Sequence, residues 1–180
     1  MSDLQLSSLV LKHHSEVDLP FLLRLYTRIR RDEFAAADWP ESQLNSFLSK
    51  QFSAQYRYYC QHYNTEYFDI IYSQNRAVGR LFVDYWLDER RELRIVDISL
   101  LPEFRGLGIA TELFKTLFAQ ARDSGLSVTI HVERNNPARR LYERLGFTLK
   151  TVTDEVYLLM EWRSETVMSN ELITESLLPY

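Results

Sequence analysis

The chain has 180 residues, 46% hydrophobic and 26% charged, an ordinary globular balance for one domain that buries roughly 70% of its unfolded surface. A formal net charge of −4 and a pI near 5.6 exclude a nucleic-acid binder relying on a broad basic face. The lack of an apolar run of about 18 residues excludes a membrane-spanning helix, and the single Cys60 excludes an intrachain disulfide. With no basic-then-apolar leader at the N-terminus, the chain reads as cytoplasmic.

In chain order, Ser8 to His13 reads as a first strand. Asp18 is placed to cap a helix with Pro20 in its first turn and Leu22, Leu23, Leu25, Tyr26 and Ile29 along it. A second helix follows Pro40, with Leu44, Phe47, Leu48, Phe52 and Tyr56 on one face. Phe68 to Ser73 and Ala77 to Trp86 read as strands joined by a turn, and Leu93 to Leu101 as a buried strand. Ala110, Leu113, Phe114, Leu117, Phe118 and Ala121 then recur at helical spacing, with Gly125 as the stop. Ser127 to Val132 is a strand, Asn136-Pro137 opens a helix that Gly146 ends, and Phe147 to Val152 with Val156 to Glu161 make a final pair. The order β-αα-βββ-α-β-α-ββ gives one mixed-sheet α/β domain over residues 1–163. The tail, 164–180, carries Val167, Leu172, Ile173, Leu177 and Leu178 among acids. It reads equally as disordered or as docking on a second copy in a homodimer.

The informative stretch is Arg105-Gly106-Leu107-Gly108-Ile109-Ala110, between an apolar strand and a helix N-terminus. Such a turn aims several backbone N–H groups at one point, a seat for phosphate. No P-loop sequence occurs in the chain, and Thr111 stands where the dinucleotide fingerprint wants its third Gly or Ala. Arg105, Gly108 and Ala110 instead fit the acetyl-coenzyme A turn, Arg/Gln-x-x-Gly-x-Gly/Ala. Downstream, Asn135, Ala138, Leu141, Tyr142, Gly146 and Phe147 match a second pattern, Asn-x-x-Ala-x-x-Leu-Tyr-x-x-x-Gly-Phe. With the lead-in Asp97 to Glu103, these stretches resemble motifs A and B of the GCN5-related N-acetyltransferase (GNAT) superfamily. The resemblance is specific over residues 92–150, weak before residue 90 and absent after about 163.

That resemblance implies a GNAT fold, a central sheet of six to seven strands with helices on both faces. It implies acetyl-CoA as co-substrate, an amine acceptor (small molecule, peptide or protein) and direct transfer in a ternary complex. Leu100 and Leu101 would meet the pantetheine arm through their main chains, with the Leu100 N–H an oxyanion donor. Arg105, Gly106, Leu107, Gly108, Ile109 and Ala110 would wrap the pyrophosphate, and Asn135 would contact the coenzyme arm while Asn136 caps the helix. Tyr142 would be the general acid facing the coenzyme sulfur. Its phenol, near 10, lies uphill of a thiolate near 8.5 by roughly 1.5 units, so hydrogen bonding during departure is expected to matter more than full transfer.

Acyl transfer also needs a base. A lysine-like amine is neutral in only about one molecule in 2,500 at pH 7, and only the neutral form attacks a thioester. Glu92 lies thirteen residues before Arg105, where histone-acetylating members of the family place their glutamate, and ranks first. Asp97, inside a buried strand, follows, since burial raises a carboxylate pKa; Glu133 is third. By alternation Glu92, Arg94, Val96 and Ile98 face one way and Leu93, Ile95, Asp97 and Ser99 the other.

Other residues carry less. His13 and His14 point to opposite faces of a strand, and His62 and His131 lack partners at ligand spacing, so no metal is expected. Arg139 and Arg140 either reach phosphate or coat their helix. Tyr56, Tyr58, Tyr59, Tyr63, Tyr67 and Tyr72 either pack or line an amine pocket by cation–π contact. A non-catalytic acyl-CoA-binding or regulatory module is the competing reading, and a dinucleotide-dependent enzyme a third.

Overall fold

In the computed structural model, residues 9–37 and 39–164 are described. The expectations for Ser8 and for the tail beyond Ser164 lie outside them. Seven strands form one sheet in the order β1-β2-β3-β4-β5-β7-β6: β1 (Leu9–His13), β2 (Phe68–Ser73), β3 (Arg76–Trp86), β4 (Glu92–Leu100), β5 (Ser127–Glu133), β6 (Thr148–Val152) and β7 (Tyr157–Trp162). The helices are α1 (Leu19–Arg30), α2 (Glu41–His62), α3 (Ile109–Ser124) and α4 (Arg139–Arg144). The order β-αα-βββ-α-β-α-ββ is the one read from the sequence. Pairing is antiparallel for β1 with β2, β2 with β3, β5 with β7 and β6 with β7, and parallel for β4 with β5, where Glu92–Ile95 run alongside Ser127–Ile130.

By density of contacts the chain divides into two compact units. One comprises Met1–Val83 with Asp97–Ile109, the other Asp84–Val96 with Ala110–Tyr180.

In the first unit, α1 buries Phe21, Leu22, Leu25 and Tyr26, and α2 buries Leu44, Leu48 and Phe52. The Tyr26 and Phe52 rings meet at 5.8 Å. Phe68 of β2 lies directly across from Phe82 of β3, and their rings stack at 4.2 Å, the cross-strand aromatic pair that fixes a register. Asp18 does not cap α1 with its side chain. Its carboxylate turns back to accept from the Ser15 N–H at 2.9 Å and Oγ at 3.2 Å, closing a capping box around a short 3-10 turn, Glu16–Asp18. Helical backbone thus begins a turn earlier than the apolar pattern suggests, and the cap moves to Ser15. Helix α2 runs to His62, beyond Tyr56, because Tyr56 and Tyr59 of its last turns still find partners below it.

In the second unit, Phe114, Leu117, Phe118 and Ala121 of α3 are buried, as are Leu93, Ile95, Val128, Ile130, Leu158 and Met160 of the strands. Phe118 stacks on Trp162 at 4.1 Å. Helix α3 ends as expected at Gly125, whose φ is +63°, with the Leu126 N–H returning to the Ala121 carbonyl at 2.8 Å. Asn136 caps through its Oδ1, which accepts from the Ala138 N–H at 2.9 Å. Residues 136–138 form a tight turn, so α4 itself begins only at Arg139.

Candidate active site

The glycine turn lies at the end of β4 in the first unit. Leu101 is buried and its main chain is fully engaged: its N–H donates to the Val78 carbonyl at 2.9 Å, and its carbonyl accepts from Phe104 at 2.9 Å. Successive N–H groups of a strand point to opposite sides, so the Leu100 N–H points away from β3. Of the two leucines, Leu100 therefore keeps a main-chain donor on the side away from β3. The Leu100 carbonyl accepts from Arg105 Nε at 3.1 Å, which folds the Arg105 side chain back over the strand end. Strands β3 and β4 approach here without room to spare. A Cβ on Gly79 would sit 2.3 Å from the Ser99 carbonyl oxygen and 2.7 Å from a Leu100 methyl.

Beyond Leu101, Phe104 is buried and anchors the loop. Gly106 and Gly108 follow with φ of +71° and +84°, and α3 begins at Ile109. The first N–H groups of a helix have no intrahelical acceptor, and left-handed glycines turn neighbouring N–H groups into the same concavity. A Cβ on Gly106 would meet nothing within 4 Å, so the residue is required there by its dihedral angle alone.

The expected carboxylates are held differently. Asp97 in the first unit accepts two hydrogen bonds from Arg80, at 3.0 Å from Nε and 2.7 Å from Nη2, a bidentate fork. Ser99 Oγ donates to it at 2.6 Å and the Tyr59 hydroxyl at 3.2 Å. Arg80 is itself buried and also donates to Gln55 at 3.0 Å, while its Nη1 has no partner. Burial works against the Arg80 charge, but the adjoining Asp97 carboxylate outweighs it and holds the pKa above the ordinary value. Burial, reinforced by the negative charge of Asp97, pushes the Tyr59 phenol well above its usual range. A carboxylate receiving four donors has its acceptor positions occupied and anchors its neighbours.

Glu92, in the second unit, is likewise enclosed. It pairs with Arg94 at 2.8 Å, accepts from Thr129 Oγ1 at 2.5 Å and lies 3.9 Å from Lys150. Arg94 continues to His131 Nδ1 at 3.1 Å, and His131 Nε2 meets Thr153 at 3.1 Å. Burial, then the Arg94 charge, lowers the His131 pKa. The alternation read from the sequence thus sets Glu92 and Arg94 on one side, where each neutralises the other. Glu133 is exposed, and its carboxylate accepts a long hydrogen bond, 3.4 Å, from the Tyr157 hydroxyl.

Tyr142 is buried in the second unit among Phe114, at 5.7 Å, and Phe147, at 5.8 Å. Asn135 lies exposed in the turn after β5, and Asn136 takes the cap. Arg139 coats its helix, bonding the Arg134 carbonyl at 3.0 Å and Glu143 at 2.9 Å. Of the tyrosines on α2, Tyr56 lies 2.6 Å from His14 Nε2 and Tyr59 binds Asp97, while Tyr58 stacks on His62 at 4.0 Å. Two of the three therefore brace the helix against the sheet. Among the described residues no cluster of three or more His, Cys, Asp or Glu is arranged to hold a metal ion, and no helix is long and apolar enough to cross a membrane.

A strand, a glycine turn with left-handed backbone and a helix N-terminus, in this β-α order, make an α/β protein with a seat for a phosphate-bearing ligand. The Acetyltransferase (GNAT) family pattern matches residues 25–147, and the chain belongs to that family. It is 29% identical over 84 residues to the [ribosomal protein bS18]-alanine N-acetyltransferase of Haemophilus influenzae, a match spanning 46% of this chain and 56% of that enzyme. The PaiA N-acetyltransferase of Thermoplasma acidophilum, solved with coenzyme A, superposes with a TM-score of 0.63 at 16% identity, over 87% of this chain and 99% of that one. The Escherichia coli ribosomal-protein-S18-alanine N-acetyltransferase gives 0.56 at 19% identity, over 86% and 93%. At such identities the two structures establish the shared fold.

Proposed function

We propose that this chain is an N-acetyltransferase that moves an acetyl group from acetyl-CoA to a primary amine by direct attack in a ternary complex, with residues 1–163 as its catalytic domain. The observation that carries the reading is the pair of left-handed glycines, Gly106 and Gly108, at the mouth of α3, in a chain of the acetyltransferase family. Arg105 to Ala110 would hold the pyrophosphate through backbone N–H groups, and the Leu100 N–H, on the side of β4 away from β3, would steady the thioester oxygen. Leu101 would contribute its buried side chain, since its N–H is already engaged. Asn135 would contact the coenzyme arm. Tyr142 would hydrogen-bond the departing thiolate. Of the three carboxylates, Glu92 and Asp97 are tied to arginines, so proton removal falls to Glu133, directly or through water.

The acceptor class we put first is a peptide α-amine, since the Haemophilus influenzae relative is an alanine N-acetyltransferase of a ribosomal protein; a polyamine is the comparison. A cytoplasmic site of action is in keeping with that acceptor. The test is thiol release from acetyl-CoA with a panel of alanine-first peptides and polyamines, beside calorimetry of coenzyme binding. Coenzyme binding with amine-dependent thiol release is the expected result. Binding without release for any amine leaves a non-catalytic coenzyme-binding module, and absence of binding at millimolar coenzyme removes the reading altogether.

A further inference from the structure

A cleft of about 310 Å³ in the first unit is lined by Arg24, Arg28, Arg76, Ala77, Leu101 and Glu103; of these only Leu101 enters the chemistry above, and the four charged residues have no part in it. Its volume is at the lower end of the roughly 300–1,000 Å³ typical of small-ligand sites. On a chain with net charge −4, three arginines and one carboxylate line this cleft. Glu103 reaches Arg28 at 4.0 Å and Arg76 at 3.5 Å, the outer limit of an ion pair. Two of the arginines are fixed by rings: Arg24 lies over Phe21 at 5.3 Å and Arg76 over Phe104 at 5.1 Å. Stacking restrains a guanidinium plane while leaving its N–H fork free to donate.

We infer that this cleft is a binding site for a phosphate monoester. Three guanidinium charges against one carboxylate leave an excess of two positive charges among the lining residues. A phosphomonoester supplies roughly −1.5 to −2 at neutral pH and three acceptor oxygens, enough to engage several forks at once. A carboxylate would only repeat what Glu103 already gives. Two sources fit this chemistry. One is the 3′-phosphate of the coenzyme, because Glu103 stands two residues before Arg105, where the pyrophosphate turn begins; this source rests on the function proposed above. The other is a separate phosphorylated small molecule.

The experiment compares coenzyme A, 3′-dephospho-coenzyme A and inorganic phosphate as calorimetric ligands of the full chain and of Arg28→Gln/Arg76→Gln. Both side chains are well exposed, at 59% and 64%, so the variant should fold, and its unfolding midpoint checks this. If the coenzyme is the source, the variant binds coenzyme A about tenfold or more weakly, binds the dephospho form unchanged, and so loses the preference between them. If the preference survives but the variant loses a millimolar phosphate affinity that the wild type has, the ligand is a separate phosphate compound. Glu103→Gln should tighten whichever ligand binds. If phosphate affinity and the coenzyme preference are both unaltered in the arginine variant, the inference is wrong. Should neither coenzyme form bind the wild type, it is the acetyltransferase reading that fails, and the inorganic phosphate arm still decides the cleft.

Discussion

Replacing Asp97 by asparagine separates an anchor from a base. Asp97 and Arg80 are joined by two hydrogen bonds, 2.7 and 3.0 Å, with side chains only 13% and 3% exposed. The amide of the variant can still accept from Ser99 and from one arginine N–H, but the substitution removes the countercharge hydrogen-bonded to a buried guanidinium. Breaking such a pair from one side costs about 3–5 kcal/mol. In a chain of this size that is a fall in melting temperature of roughly 6–20 °C. Asp97→Asn/Arg80→Met, which removes the stranded charge as well, should recover more than half of the loss. Urea and thermal unfolding of the two single variants and the double supply the coupling energy. Turnover of Asp97→Asn, measured below its melting range, should fall only modestly. The reasoning is refuted if Asp97→Asn melts with the wild type while turnover drops by the factor of about 10²–10⁴ that a lost general base would cause.

Tyr142→Phe should lower kcat about 10- to 100-fold and leave coenzyme affinity within about threefold, since the proposed role of the hydroxyl is to stabilise the departing thiolate in the transition state; thiol release and calorimetry read the two quantities, and an unchanged kcat would exclude the role. Gly79→Ala should destabilise by about 1–3 kcal/mol, because its methyl group would lie 2.3 Å from a main-chain oxygen of the neighbouring strand; an unfolding midpoint equal to wild type would show that β3 and β4 yield easily. His14 is kept neutral by burial, against the pull of the Phe68 carbonyl, with a pKa below its usual 6.5. The unfolded chain then binds more protons than the native one just below pH 6.5, so stability should decline as the pH falls from there towards the native pKa. His14→Gln should flatten that decline in urea midpoints taken between pH 7.5 and 5.5, and an undiminished slope would assign it to other groups such as His131.

Elements with a strong period were legible before any coordinates. Phe68–Ser73 was read to the residue, and α3 with its Gly125 stop nearly so, because apolar spacing and left-handed glycine are local properties. Helix starts were less legible. A cap at Asp18 follows from residue type, but Ser15 competes for the same carboxylate and wins by one turn. The roles of the acidic residues were the least legible. Glu92 and Asp97 both read as bases from residue type and spacing; for Glu92 the neutralising Arg94 was two residues away on the same strand face, whereas Asp97's partner Arg80 comes from another strand. Arg80 was a usable signal, an arginine in the middle of the apolar run from Ala77 to Trp86, which demands an acid from another strand. The arginine cleft was legible only in part: Arg24 and Arg28 share a face of α1 at i, i+4 spacing, but Arg76 and Glu103 join them only through tertiary folding.

Gly79 and Gly106 are glycine for different reasons, one crowded and one left-handed, and Gly106 is open to a test of handedness. A side chain there has unoccupied space around it, yet the backbone sits at φ +71°, which strains an L-alanine by about 1–2 kcal/mol. A D-alanine introduced by chemical ligation is at home at that angle and narrows the freedom of the unfolded chain. The mirror-image residue should therefore firm the turn that its natural enantiomer would loosen. The turn's ligand would then meet an unaltered row of amides, because a grip made of peptide groups is indifferent to which way a methyl points into solvent.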